Sequence, residues 1–213
     1  KNNQTLYNKI MEANKESPKG VFIAAPMYGG QCSGDFALSL SKAVVMLKDL
    51  GFQYHVQALY NESLIPRGRN TLARDFLDSG MDYLMFIDSD IGFPELGLLS
   101  LIVADKEVSG AAYPKKKINW DLVSKAVKAG KSATELNQYT GEFTFDFAKL
   151  DAETDDSGFV EVRHISTGFM LLRRSVLEKL KEHVPVYTEP HDGSLRYFSE
   201  FFKSGPCPKT GAY

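Results

Sequence analysis

The stretch Tyr83-Leu84-Met85-Phe86-Ile87-Asp88-Ser89-Asp90-Ile91-Gly92-Phe93 decides the reading of this chain. Its apolar run has the length of a buried strand and ends in two carboxylates one residue apart. In extended backbone, residues i and i+2 point the same way with Cα atoms roughly 6.6 Å apart. Asp88 and Asp90 are therefore expected to face one target at the carboxyl edge of a sheet, where open α/β sheets bind ligands. Adjacent carboxylates repel unless something positive lies between them, and a hard divalent cation with oxygen ligands suits that place. The expectation is a Mg²⁺ or Mn²⁺ site that neutralises a diphosphate. The plainer alternative is a polar turn capping the helix at Pro94.

Strand and helix alternate around this stretch. Residues 4–16 read as an amphipathic helix with Leu6, Ile10 and Met11 on one face. Residues 21–25 form a short buried strand, broken by Pro26 and by Gly29-Gly30. A helix runs from about Ser33 or Asp35 to Leu50 and stops at Gly51. A strand over 52–59, a helix over 69–79, a helix from Pro94 to about 104 and a strand over 108–113 follow. This order predicts an α/β fold: a mostly parallel sheet with helices on both faces. The second half reads as mixed, with helices over 120–129 and 175–183, strands over 143–150, 159–165 and 169–172, and an acidic loop over 151–158. One domain over 1–213 is expected, with a nucleotide-binding half (1–115) and an acceptor-side half (116–213).

Other residues carry candidate chemistry. In Pro26-Met27-Tyr28-Gly29-Gly30, glycine lets backbone approach a ligand, the next helix offers its N-terminus to an anion, and Tyr28 can stack on a base. An ordinary strand-to-helix turn would use glycine too. No G-x-G-x-x-G or G-x-x-x-x-G-K-[ST] pattern is present, so neither a dinucleotide fold nor a P-loop is supported. Arginines near a helix start oppose its dipole, so Arg67 and Arg69, with Asn70, suggest an anionic partner. Arg74 can pair with Asp78 at i+4. Gly168 implies close approach by another strand or a substrate. His164 is either a strand histidine with its hydrogen bonds satisfied or a further metal or phosphate ligand. His191 reads as a loop residue, with metal ligation as its alternative, Lys115-Lys116-Lys117 as a solvated turn or a contact for an anionic substrate, and Trp120 and Tyr113 as core residues or a sugar platform. Glu200, a carboxylate among aromatics, is a candidate general base.

Composition narrows the class. The 213 residues are 43% hydrophobic and 24% charged, with a formal net charge of -2, which gives no general electrostatic reason to bind nucleic acid. No apolar run has the length of a membrane helix and the Lys1 end has no signal-peptide core, so no membrane insertion is expected. Cys32 and Cys207 read as two free thiols in a reducing cytoplasm.

In this order the pieces resemble the GT-A class of sugar-nucleotide-dependent glycosyltransferases, the family-2-like branch in particular. The resemblance covers about residues 20–175. It rests on Phe86-Ile87-Asp88-Ser89-Asp90, on Arg69-Asn70, and on Ser166-Thr167-Gly168-Phe169-Met170-Leu171-Leu172-Arg173-Arg174. Within the class the chain looks like the N-terminal glycosyltransferase domains of chlorella-virus capsid-glycosylation proteins. The resemblance implies a three-layer Rossmann-like fold, with Pro26, Met27 and Tyr28 at the nucleoside. It also implies Asp88 and Ser89 near the ribose or metal, Asp90 as a direct metal ligand, and Ser166–Phe169 near the transferred sugar or the acceptor. A viral origin would make the location the host-cell cytoplasm. Inverting members carry a late Ser-Glu-Asp type base, whereas here Ser199-Glu200 precedes Phe201. The base then lies beyond Tyr213, or is Glu200, or is absent because configuration is retained. The Gly/Pro-rich run to Tyr213 reads as an interrupted loop, so further domains of a longer polypeptide are expected.

The expected activity is hexosyl transfer from a UDP-sugar, such as UDP-glucose, to a glycan acceptor, possible acceptors including a viral capsid glycan. A non-catalytic carbohydrate- or nucleotide-sugar-binding module is the alternative. A haloacid-dehalogenase-like phosphatase would need its Asp-x-Asp on the first strand, with Thr or Val where this chain has Gly92.

Overall fold

The structure is a computed structural model and describes residues 2–143, 145–147 and 153–205. Two compact units are present: the chain up to Ser109 together with the chain from Thr167 onward, and Gly110–Ser166. The division thus differs from the expected halves at 115/116, because the chain returns to the first unit at Thr167.

The first unit opens with α1 (Asn2–Glu16), β1 (Gly20–Met27), α2 (Gly34–Asp49), β2 (Gln53–Tyr60), α3 (Ile65–Ser79), β3 (Tyr83–Ile87) and α4 (Glu95–Ala104). It continues with β4 (Val108–Gly110), whose last residue falls in the other unit, and then β7 (Phe169–Arg173), α6 (Arg174–Lys181), β8 (Val186–His191) and β9 (Ser194–Ser199). The fold is mixed α/β around a mostly parallel five-stranded sheet of order β2-β1-β3-β7-β4. β1 runs parallel to both β2 and β3, while β7 is antiparallel to β3 with Ile87 opposite Phe169. Every residue of β3 is buried, as are Gly20–Ala25 of β1. A strand buried on alternate sides at once needs cover on both faces, hence the continuous apolar runs that stood out in the sequence. Val21, Ile23, Leu84, Met85, Phe86, Phe76, Leu98 and Leu171 form the core.

Several bounds shift from expectation for local reasons. α3 starts at Ile65 rather than Arg69, because Pro66 sits in its first turn, where no amide hydrogen is needed. Gly80 ends it in the left-handed conformation with φ 77°. β4 stops at Gly110, three residues short of the expected end at Tyr113. The hairpin β8–β9 has His191, expected in a loop, at the end of its first strand. Its Asp192-Gly193 tip has φ of 45° and 75°, the turn chemistry of a tight hairpin.

The second unit holds α5 (Trp120–Lys128) and the antiparallel pair β5 (Phe145–Phe147) and β6 (Val162–Ile165). Asn119 caps α5 by accepting from the Leu122 amide at 3.1 Å. The expected strand 143–150 is described only in part, since 144 and 148–150 lie outside the described residues, as do 151–152 of the acidic loop and Cys207 with the rest of 206–213. Among the described residues, no helix is long and apolar enough to cross a membrane.

Candidate functional site

β3 ends at Ile87, so Asp88-Ser89-Asp90 is not extended. The Ile91 amide donates to the Asp88 carbonyl at 3.1 Å, which makes the segment a turn and removes the i, i+2 geometry expected of a strand. Two contacts hold the turn. The Asp88 amide donates to the Gly168 carbonyl at 2.8 Å, one step beyond the β3–β7 ladder. The Ser33 amide, at the cap of α2, donates to the Ser89 carbonyl at 2.8 Å. Ser33 Oγ accepts from the Phe36 amide at 3.1 Å, so α2 keeps fewer free donors at its N-terminus for an anion than the sequence suggested.

Asp88 already has a positive partner. Arg69 Nη2 stands 2.7 Å from Asp88 Oδ1, and Arg69 Nη1 donates to the Thr167 carbonyl at 3.2 Å. The guanidinium carbon lies 5.0 Å from the centre of the Phe86 ring. Arg69 is buried and its guanidinium is engaged by Asp88 and the Thr167 carbonyl, where a phosphate grip was expected. Arg69 thus offsets the charge of one of the two carboxylates and relieves part of their mutual repulsion. Asp90, in the same turn, is exposed.

Asn70 is buried, and its amide is closed on Phe202: Nδ2 donates to the Phe202 carbonyl at 3.0 Å and Oδ1 accepts the Phe202 amide at 2.8 Å. Those two bonds clamp the chain after β9, where a place beside the cofactor was expected. Phe202 meets Phe86 edge-on at 5.3 Å, so Asn70, Phe202, Phe86 and Arg69 form a packed series leading to Asp88. Arg67 is exposed and grips Glu62 at 2.6 and 2.9 Å, holding the Glu62 carboxyl below its ordinary range through that hydrogen bond. It too has a local partner where a phosphate grip was expected. Arg74 pairs with Asp78 at 3.3 Å, the i+4 partner.

Pro26 and Met27 are half-buried at the end of β1. Gly29 and Gly30 follow, both with φ of 69°, in an exposed turn where Tyr28 is 73% exposed. Tyr60, missed in the sequence, ends β2 opposite Met27 and is 56% exposed; a Cβ on Gly30 would lie 3.7 Å from its ring. The signal available for it was the parallel neighbourhood of the first two strands, which brings their carboxyl ends together.

Glu200 follows β9, half-buried, with its amide donating to the Pro185 carbonyl at 2.8 Å. Burial, with Glu189 and Glu200 among the smaller causes, pushes the nearby Tyr187 phenol up. Gly168 is buried, and its carbonyl serves the Asp88 amide. His164 lies on β6 of the second unit, exposed, in register with Asp146. Among the described residues, no group of three or more His, Cys, Asp and Glu is placed to hold a metal ion. Asp90 with Asp88 offers two carboxylates, and Mg²⁺-type sites complete such a set with waters and substrate phosphates.

No protein-family model matches the chain, and no curated protein is similar to it in sequence. A comparison with solved structures matches one described as A197 from STIV, at 17% identity and a TM-score of 0.46, covering 78% of this chain and 70% of that one.

Proposed function

We propose that the protein is a Mn²⁺- or Mg²⁺-dependent glycosyltransferase that uses a nucleoside-diphosphate sugar, a UDP-sugar above all, to glycosylate a carbohydrate acceptor. The three-layer GT-A arrangement belongs to the same proposal. The observation that carries it is the exposed Asp90 on a pinned turn at the carboxyl edge of β3, in the same sheet whose β1 ends at an exposed Tyr28-Gly29-Gly30 turn. That edge is where parallel sheets receive nucleotides.

The donor set fits a hard cation: two carboxylates, with no thiolate or imidazole beside them on the turn. Asp90 would hold the ion, with Asp88 beside it. A cation held there would supply positive charge to the departing diphosphate. Arg69 keeps the Asp88 carboxylate in one orientation, and its own charge offsets that carboxylate from the buried side. Tyr28 and Tyr60 supply aromatic faces for the base. Glu200 is the carboxylate for accepting a proton from an acceptor hydroxyl in an inverting reaction.

Calorimetry of UDP binding with and without Mn²⁺ tests the reading. The parent chain is expected to bind UDP only with metal, and Asp90→Ala to lose that binding while melting at the parent temperature. UDP affinity unchanged in Asp90→Ala with Mn²⁺ present would sink the metal assignment. Slow metal-dependent release of UDP from a UDP-sugar separates an enzyme from a pure binder.

A further inference from the structure

The two edges of the central sheet are built differently. β4, at one end, is three residues long, a common protection against unwanted pairing. β2, at the other, is eight residues long and pairs with β1 over its whole length. Its sequence, Gln53-Tyr54-His55-Val56-Gln57-Ala58-Leu59-Tyr60, holds no Lys, Arg, Asp, Glu or Pro. Among the described residues, no strand pairs with its outer side. A long, uncharged edge leaves a row of backbone donors and acceptors open to another strand.

We infer that β2 is a homodimer interface, pairing antiparallel with β2 of a second copy across a two-fold axis and joining the two sheets into one. The strand is self-complementary in that arrangement. Centred on Gln57, antiparallel pairing sets Tyr54 opposite Tyr60 and Val56 opposite Ala58, with every pair on matching faces. Tyr54 and Val56 are each 37% exposed and Tyr60 56%, so side chains of high strand propensity remain to be covered on one face. No like charges meet in this register. An isologous contact closes at two copies, whereas an offset register would leave edges free and build chains. The partner's Tyr54 would then lie beside Tyr60, next to the Gly30 turn.

Sedimentation velocity of the whole chain across a concentration series tests this. The parent is expected at twice its 23.7 kDa mass, and Val56→Lys at 23.7 kDa under the same conditions, with an unchanged circular dichroism spectrum. A second variant is independent of that substitution: Gln57→Cys, with Cys32 and Cys207 replaced by Ser, is expected to oxidise to a covalent dimer, since self-opposed residues in such a pair sit within disulfide reach. A parent that stays monomeric at the highest concentration overturns the proposal. So does a dimer that survives Val56→Lys, a Gln57→Cys chain that does not cross-link, or a ladder of higher oligomers. A monomeric parent that binds an extended peptide at this edge would assign the edge to another protein instead.

Discussion

Arg69 and Asp88 form an ion pair that crosses from core to surface: the guanidinium, 5% exposed, stands 2.7 Å from a carboxylate 35% exposed. The pair joins the second turn of α3 to the turn after β3. Removing Arg69 leaves Asp88 half-buried without its partner and leaves a void over Phe86. Losing one member of a buried pair costs about 3–5 kcal/mol, and the solvent reaching Asp88 brings the expected loss for Arg69→Ala to about 2–3 kcal/mol. Urea unfolding measures it. An Arg69→Ala midpoint equal to the parent's would show that the pair contributes nothing.

Asn70 ties α3 to Phe202 by two hydrogen bonds across 132 residues of sequence. Asn70→Ala is expected to cost about 2–3 kcal/mol, from two bonds of about 1 kcal/mol each and the buried backbone groups they leave. Amide exchange at Phe202 should accelerate more than exchange in β3. Equal acceleration at both places would mean general destabilisation, with no local clamp.

Gly92 lets the Asp88–Ile91 turn lie close to the start of α2. A Cβ there would come 2.9 Å from Asp35 Cβ, whereas one on Gly34 meets nothing within 4 Å. Gly92→Ala is expected to cost about 1–3 kcal/mol through overpacking and to weaken Mn²⁺-dependent UDP binding. Gly34→Ala should do neither. A Gly92→Ala chain with parent stability and affinity contradicts this close fit.

Tyr28 is too exposed to support the fold, so Tyr28→Ala should leave stability within about 0.5 kcal/mol of the parent. If it stacks on the base, UDP affinity falls about tenfold, the low end of a 1–3 kcal/mol stacking contact. Calorimetry and thermal melting together read both numbers. An unchanged affinity removes Tyr28 from the site.

Burial, then its 2.7 Å hydrogen bond to Asp105, pushes the Tyr83 phenol above its ordinary value of 10.0. The folded state therefore favours the neutral phenol. That contribution is whole below pH 10 and is lost as pH climbs from 10 toward the folded value, because the unfolded chain ionises first. Urea midpoints between pH 8 and 11 should fall more steeply for the parent than for Tyr83→Phe, which keeps the ring but cannot ionise. Parallel slopes would discount Tyr83.

Much of the frame was legible in the sequence because its signals are local. The five apolar residues of β3, the glycine stop at Gly80 and the Arg74–Asp78 spacing each follow from neighbours within a few positions. The β8–β9 hairpin was missed although Asp192-Gly193 carried its turn chemistry, since its strands show little apolar alternation to mark them: burial switches between exposed and half-buried along β8.

Alternation of strand and helix, the buried third strand and the placing of two aspartates at its end are properties of the sequence alone, since hydrophobic period and turn chemistry act over a few residues. Which charge answers Asp88 was decided only by the tertiary structure. Arg69 is 19 residues away and Phe202, at the far end of the same packed series, is 132 residues from Asn70. Such partners are chosen by how a helix crosses a strand and by what burial leaves without water. A linear pattern records neither, which is why one of the two carboxylates that the sequence left facing a cation is, in the fold, already held by an arginine.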